Sequence, residues 1–477
     1  MIDPQRIRFL NGAGQRRGAY VLYWMQAAPR VPDNPALQHA LRRADELGLP
    51  LLCGFGLTPR YPEATLRHYV FLLEGLAETA AALESLGIRL AVLPEEPDRA
   101  ALRLGRRAAL LVTDRGYLRH QRAWRETVAE RAGCPVVQVE GEAVLPVEQV
   151  SGKAEWAAAG FRPKVRRLLA EQLPWAVPGL PAADSPGGRR PPAAPRAPRA
   201  PRHDSLGLCV EGALPPADLR GGPAAPALAR LRPDPSVPPV EGLRGGASQA
   251  MARLRRFVRG PLAEYHLSSD DPGADLQSGL GAYLHFGQIS PVTVARAVAG
   301  ACGVQEGARD AFLEQLIVRR ELSLNMVHYD PDYDRYDSLP EWARGTLARH
   351  VRDRRPYLYD RARLERADTH DPYWNAAMRE ARRTGVMHGY MRMYWGKKIL
   401  EWSETPEQAF DTALALNNRW LLDGRDPNSY AGVAWCFGRH DRPWPERPVF
   451  GTVRSMTSAG LERKFDMDGY LRRVGGS

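Results

Sequence analysis

Strand and helix signals alternate through residues 19–145 and then stop, and this break limits the chain to a small set of architectures. Tyr20-Val21-Leu22-Tyr23-Trp24 is an apolar run of strand length, followed by a helical pattern through Leu37, Leu41 and Leu47. A second strand is expected over 50–55. Apolar spacing predicts a long amphipathic helix over 65–86. Further strands are expected over 88–92, 109–112 and 136–139, with helical segments between them. Alternation at this spacing implies a parallel sheet covered by helices on both faces. No Gly-x-Gly-x-x-Gly follows the first strand, so no conventional dinucleotide site is expected there. From about Ser248 the pattern is helical throughout, most clearly over 311–327, 374–384, 386–402 and 406–422. The expected organisation is a Rossmann-like α/β domain over 1–150 and an all-helical domain over 248–477. A connecting helix and linker occupy 151–247.

The linker is set apart by composition. Pro-Ala-Arg runs such as Pro191-Pro192-Ala193-Ala194-Pro195-Arg196 cannot build a packed core and read as an extended, partly disordered spacer over 176–246. The chain has a net charge of +11. A polyanionic partner explains that excess; an arginine-rich linker is the competing explanation. The five cysteines are scattered without paired spacing, as in a reduced cytosolic protein rather than a disulfide or zinc framework. No apolar run is long enough to span a bilayer and no secretory signal is visible. A cytoplasmic protein is expected, monomeric by default and without an obligate protein partner or a metal.

Seven of the eleven tryptophans lie beyond residue 340, interleaved with Arg, Asp and Asn. On the helix expected over 386–402, Met387, Met391, Tyr394, Trp395, Ile399 and Trp402 share one face. That stripe is either core or the wall of a binding site for a flat ring. Arg392 and Met393 lie on a neighbouring face. A buried Arg392 needs an anion, and Asp411 on the next helix is the candidate. Asn417-Asn418 are unfavourable inside a helix, so they mark a helix end or an amide aimed at a ligand. The loop after them delivers Trp435 and Arg439, an aromatic and a cation suited to stacking on a base beside phosphate. Glu314 lies on a charged helix, where a solvated salt bridge is the plain reading. The segment Gln277-Ser278-Gly279-Leu280-Gly281 enters a helix with free backbone N–H groups, either an ordinary helix start or a phosphate cradle.

Five segments together resemble the photolyase/cryptochrome family, closest to the class II cyclobutane pyrimidine dimer photolyases. They are Tyr-Trp-Met-Gln at 23–26, Tyr-Leu-His-Phe-Gly-Gln-Ile-Ser at 283–290, Leu-Ile-Val-Arg-Arg-Glu-Leu at 316–322, Met-His-Gly-Tyr-Met-Arg-Met-Tyr-Trp at 387–395 and Asp-Pro-Asn-Ser-Tyr-Ala-Gly-Val-Ala-Trp at 426–435. The resemblance implies FAD in the helical domain, an antenna chromophore of unknown identity in some members, and light-driven electron transfer from reduced flavin to a pyrimidine dimer flipped out of ultraviolet-damaged DNA. It also implies individual roles. Asn417 matches an asparagine facing flavin N5. Arg392 and Asp411 match a salt bridge beside the flavin. Tyr265 and the residues Gln277, Ser278, Gly279, Leu280 and Gly281 match the part that grips the phosphates and ribityl chain. Glu314 and Met393 match contacts to the dimer, and Trp435 matches a residue that stacks on it. Trp374, Trp395 and Trp402 match a chain that re-reduces the flavin from the protein surface. Related sequences carry Asn-Leu-Ser-Pro where this chain has Gly279-Leu280-Gly281-Ala282, so one hydroxyl able to meet phosphate is missing. A light-sensing cryptochrome is the alternative activity, and a DNA-binding scaffold with a dead flavin pocket a third.

Overall fold

The computed structural model describes residues 2–176, 205–220, 222 and 225–475. Six strands form one sheet: β1 (Ile7–Phe9), β2 (Tyr20–Trp24), β3 (Leu51–Gly56), β4 (Arg89–Leu93), β5 (Ala108–Asp114) and β6 (Val136–Val139). Their order is β1-β6-β5-β2-β3-β4. Every residue of β2, β3 and β5 is buried, which is what strands covered on both faces require. Strands β2–β6 are parallel, as expected from the sequence, and β1 adds an antiparallel edge against β6. A three-residue edge strand with an exposed Arg8-Phe9 carries no readable alternation.

Helices Pro35–Leu47 and Leu66–Glu84 lie close to the expected positions. Chain order reverses about β2, so β3 and β5 flank it on opposite sides. The carboxyl ends of strands at such a switch form a crevice. Here it holds a cavity of about 90 Å³ lined by residues that include Gln26, Phe55, Tyr61, Trp124, His285 and Arg425.

From Ala247 onward the described residues form helices and no ladder strand. Among the described residues, five α-helices begin with a side-chain cap followed by proline: Asn34-Pro35, Ser290-Pro291, Asp371-Pro372, Thr405-Pro406 and Asp426-Pro427. The cap satisfies an orphan N–H and proline contributes none, so both residues fix the start of the helix. The helix expected over 386–402 begins only at Gly389, because His388 serves as its N-cap. The helix expected over 311–327 is interrupted by a π-helical stretch, Glu314–Arg319. Trp435 lies at the end of helix Pro427–Cys436, not on a loop as its polar surroundings suggested.

The expected spacer needs a correction. The Pro-Ala-Arg run at 191–196 lies outside the described residues. Beyond it, however, Leu214, Leu219, Ala227, Leu228 and Leu231 are buried in the core beneath helix Leu66–Glu84. A proline-rich composition did not prevent these apolar side chains from joining a core built by others.

Buried arginines make two of the polar junctions between sheet and helices. Arg67 sits fully buried at the C-terminal ends of two helices, donating to the carbonyls of Ala381 (3.0 Å), Arg382 (2.6 Å) and Trp420, and to Pro238 O (3.1 Å). Carbonyls left without partners at helix C-termini attract a cation, so no carboxylate is needed there. At the second junction Arg30 pairs with Glu142 (2.7 Å) and donates to Gly287 O (2.8 Å).

Candidate functional site

Glu314 opens the π-helical stretch and is partly exposed. Its carboxylate accepts from both Nε and Nη2 of Arg162, at 3.1 and 2.7 Å. Arg319, one turn on, lies 3.8 Å away. Arg162 comes from helix Ala158–Gln172, within the connecting region. The two-pronged contact fixes the plane of the carboxylate. No motif in the sequence announced Arg162, since its partner lies 152 residues away.

Arg392 does find an anion, but not Asp411. Its Nη2 donates to Asp423 Oδ1 at 2.7 Å. Asp411 is exposed on helix Pro406–Trp420. Asp423 follows that helix, in the turn that reaches back toward Arg392. Gly281 comes against the same pair: a Cβ there would stand 2.9 Å from Asp423 Oδ2. Gly279 has φ +64°, and a Cβ would stand 2.9 Å from Arg253 Nη1. The segment 277–281 therefore approaches Asp423 and Arg253 closely because two of its residues lack side chains. Ser278 Oγ accepts from Leu280 N at 3.4 Å, and Gln277 Nε2 donates to Ser269 O at 2.6 Å. Tyr265 shares a core cluster with Leu280. It is buried edge-on against Phe257 and Phe312, with ring centroids 5.8 and 5.3 Å apart, and burial pushes its phenol up to about 12.

Asn417 is buried in the last turn of its helix. Its Nδ2 donates to Asn418 Oδ1 (3.0 Å) and Ser429 Oγ (2.8 Å), and Ser429 donates back to its Oδ1 (3.1 Å). Asn418 in turn holds Arg425 N (3.0 Å) and Glu63. The two amides tolerate a helix interior because each is engaged by neighbours outside the helix.

Met393 and Trp435 are both partly buried at the edge of the same core cluster. Lys397 lies beneath Trp435, its Nζ 4.8 Å from the ring and donating to Cys436 O at 2.6 Å. Burial pulls this ammonium down to about 8. Arg454 stands 5.7 Å from the same ring. Arg439 does not face outward as a base-side cation. It is tied to Asp330 (2.9 Å) and Ser338 O (2.6 Å), anchoring the chain after Trp435.

The tryptophans are in contact. Trp395 and Trp374 stack nearly parallel at 6.1 Å, and Trp374 meets Trp402 edge-on at 5.7 Å. All three are buried. Beyond Trp402 the rings continue through Tyr359 (5.4 Å) and His370 (5.2 Å) to Tyr357, which stacks on His370 at 3.7 Å and is 47% exposed. The sequence reading stopped at Trp402, because the last rings come from a loop without helical periodicity.

A model of the DNA photolyase family matches residues 21–185. The deoxyribodipyrimidine photo-lyase of Methanothermobacter thermautotrophicus is 44% identical over all of this chain and 99% of its own length. That of Oryza sativa is 37% identical, covering 98% of this chain and 90% of the relative. The chain belongs to the DNA photolyase family. Among solved structures, a class III photolyase from Agrobacterium tumefaciens has a TM-score of 0.70 at 19% identity, over 97% of this chain and 88% of the other. A Synechocystis cryptochrome has a TM-score of 0.70 at 16% identity, over 97% and 89%. These two likenesses concern the fold.

Proteins of the photolyase/cryptochrome family bind FAD, and the residues of this photolyase fit that group. Arg392 Nε and Trp395 Nε1 are buried side by side on helix Gly389–Trp402 without a hydrogen-bond partner. Buried donors of this kind are costly unless a partner completes them. Gly279 and Gly281 let the backbone of 277–281 come close to Arg253 and to the Asp423 carboxylate that pairs with Arg392. A groove of about 1000 Å³ between helices Leu66–Glu84 and Ala247–Arg259 is lined by neither Glu314 nor Trp435. No helix among the described residues is long and apolar enough to cross a membrane.

Proposed function

We propose that this photolyase splits cyclobutane pyrimidine dimers in ultraviolet-damaged DNA, using blue light and reduced FAD. The observation that carries the reading is the full-length similarity to proteins named deoxyribodipyrimidine photo-lyase, 44% identical in one case. Arg392, Asp423 and the segment 277–281 would hold the flavin, with Asn417 beside its reactive edge. The chemistry FAD supplies when bound is reversible one-electron donation under illumination.

The protein's own residues handle the substrate and the path of charge. Glu314, fixed by Arg162, presents an acceptor to the N–H of a flipped base. Trp435 and Met393 offer an apolar face to the same base, and a dimer unstacks at lower cost than an intact pair. Trp395, Trp374 and Trp402 form a continuous series of touching rings that leads through Tyr359 and His370 to Tyr357 at the surface, so an electron can move inward by short hops. Wild-type protein loaded with FAD and reduced should restore thymine in dimer-containing DNA under blue light and not in the dark. Light-independent or absent restoration by flavin-loaded protein would overturn the assignment.

The cavity at the carboxyl ends of β2 and β3 is the place for an antenna chromophore. Arg425 Nη1 is buried there without a partner, while Tyr61, His120 and Trp124 pack edge to face alongside. A planar, negatively charged ring system suits that lining.

A further inference from the structure

Ten of the eleven tryptophans are buried or half-buried; Trp156 alone is exposed, at 59%. Its loop is nevertheless tightly fixed. Tyr329 OH donates to Ser151 O (2.8 Å), Asn325 Nδ2 to Lys153 O (3.0 Å), and Glu155 N to Asn325 Oδ1 (2.7 Å). Lys164 and Ser151 Oγ close on the Glu155 carboxylate. His440 Nδ1 then donates to the carbonyl of Trp156 itself at 2.8 Å. A backbone pinned at this many points holds an indole outward without relying on the indole's own packing.

The position of the loop matters. His440 follows Trp435 by five residues, and its other ring nitrogen, Nε2, is buried without a partner. The cations of Arg439 and Arg319 bear on His440, and Arg319 lies 3.8 Å from Glu314. Trp156 thus stands on one rim with the proposed dimer contacts Glu314 and Trp435. Lys153 is exposed on the same loop, and Arg319 is half-exposed beside it, so the rim is cationic.

We propose that Trp156 stacks on the base left unpaired opposite an extruded dimer. This rests on the repair reading above. Extrusion exposes the face of an undamaged base in the complementary strand, and a rigid, exposed indole on a cationic rim is complementary to it. The loop's fixed backbone means that little ordering opposes the contact.

The test uses full-length, FAD-loaded protein and a duplex with one thymine dimer, with 2-aminopurine placed opposite the dimer. Trp156→Ala should bind this duplex about tenfold more weakly than wild type, and Trp156→Phe should recover most of the loss. Wild type should quench the 2-aminopurine fluorescence and Trp156→Ala should not. Binding of the dimer in single-stranded DNA, flavin absorbance and melting temperature should be the same in all three proteins. Equal duplex affinity and equal quenching in wild type and Trp156→Ala would overturn the proposal. So would an equal loss on single strand and duplex. Wild-type protein that binds and quenches but never restores thymine would sink the repair reading and leave the Trp156 contact standing.

Discussion

Arg162 holds the Glu314 carboxylate through two N–H groups, and at the scale of single residues this contact decides where the carboxylate points. Arg162→Ala frees that rotation without touching the flavin residues. Repair yield at saturating DNA should fall about tenfold, the weight of one charge-assisted hydrogen bond. Flavin absorbance should not change, and an unaltered yield would show that Glu314 needs no support. Arg392 offers a sharper contrast. Removing its partner leaves a partly buried cation unpaired, so Asp423→Ala should cost about 2 kcal/mol in urea unfolding and lower the FAD content of purified protein. Asp411→Ala, at an exposed position, should stay within ~0.5 kcal/mol. The reverse order would restore the pairing first expected from the sequence. That expectation erred for a physical reason: helix periodicity says which face Asp411 occupies, but a residue in the turn after the helix reaches farther back. The need for an anion near Arg392 was legible from its burial among apolar neighbours; the identity of the anion depended on a turn.

At the scale of elements, the aromatic rings matter as a continuous series. Trp374 touches both Trp395 and Trp402, so it has no bypass through the other two. Trp374→Phe should slow photoreduction of oxidised flavin by at least tenfold, measured by absorbance under blue light with an external reductant. Repair by chemically reduced protein should be spared. Photoreduction at the wild-type rate would mean that charge enters elsewhere. The helix carrying Trp395 and Trp402 was readable in advance, because its large side chains recur every three to four residues. The segment 422–430 reads as loop in the sequence because its residues are turn formers, yet Asp426-Pro427 caps a helix there. The π-helical stretch at Glu314 was not readable, since one extra residue in a turn leaves the apolar pattern nearly intact. Nor was the exit through Tyr359 and His370, which depends on a loop folding back against Trp402.

For the whole molecule, the question is how the sheet and the helices are kept in one body while the surface meets DNA. The charge excess does not reside mainly in the proline-rich region: residues 176–246 carry nine arginines against six acidic residues, so only three of the eleven net positive charges come from it. The junction between the two halves is instead polar and buried. Glu321, at the start of helix Arg320–Tyr329, accepts from Leu145 N (3.2 Å) and Val144 N just beyond β6. Burial pushes its carboxyl up to about 8. The folded protein therefore holds this proton more tightly than the unfolded chain does. Its contribution to stability is full below the unfolded value near 4.5 and is lost as pH rises through 8. Glutamine at this position keeps an acceptor oxygen for both amides and cannot titrate. The wild-type melting temperature should therefore fall between pH 5 and pH 8 relative to that of Glu321→Gln, by about 2 °C or more. Parallel melting curves across that range would mean that the carboxylate is charged throughout, stabilised by its two N–H donors and by Arg320 nearby. In that case the junction would be an anion bound to backbone amides, and Glu321→Gln would weaken it equally at every pH.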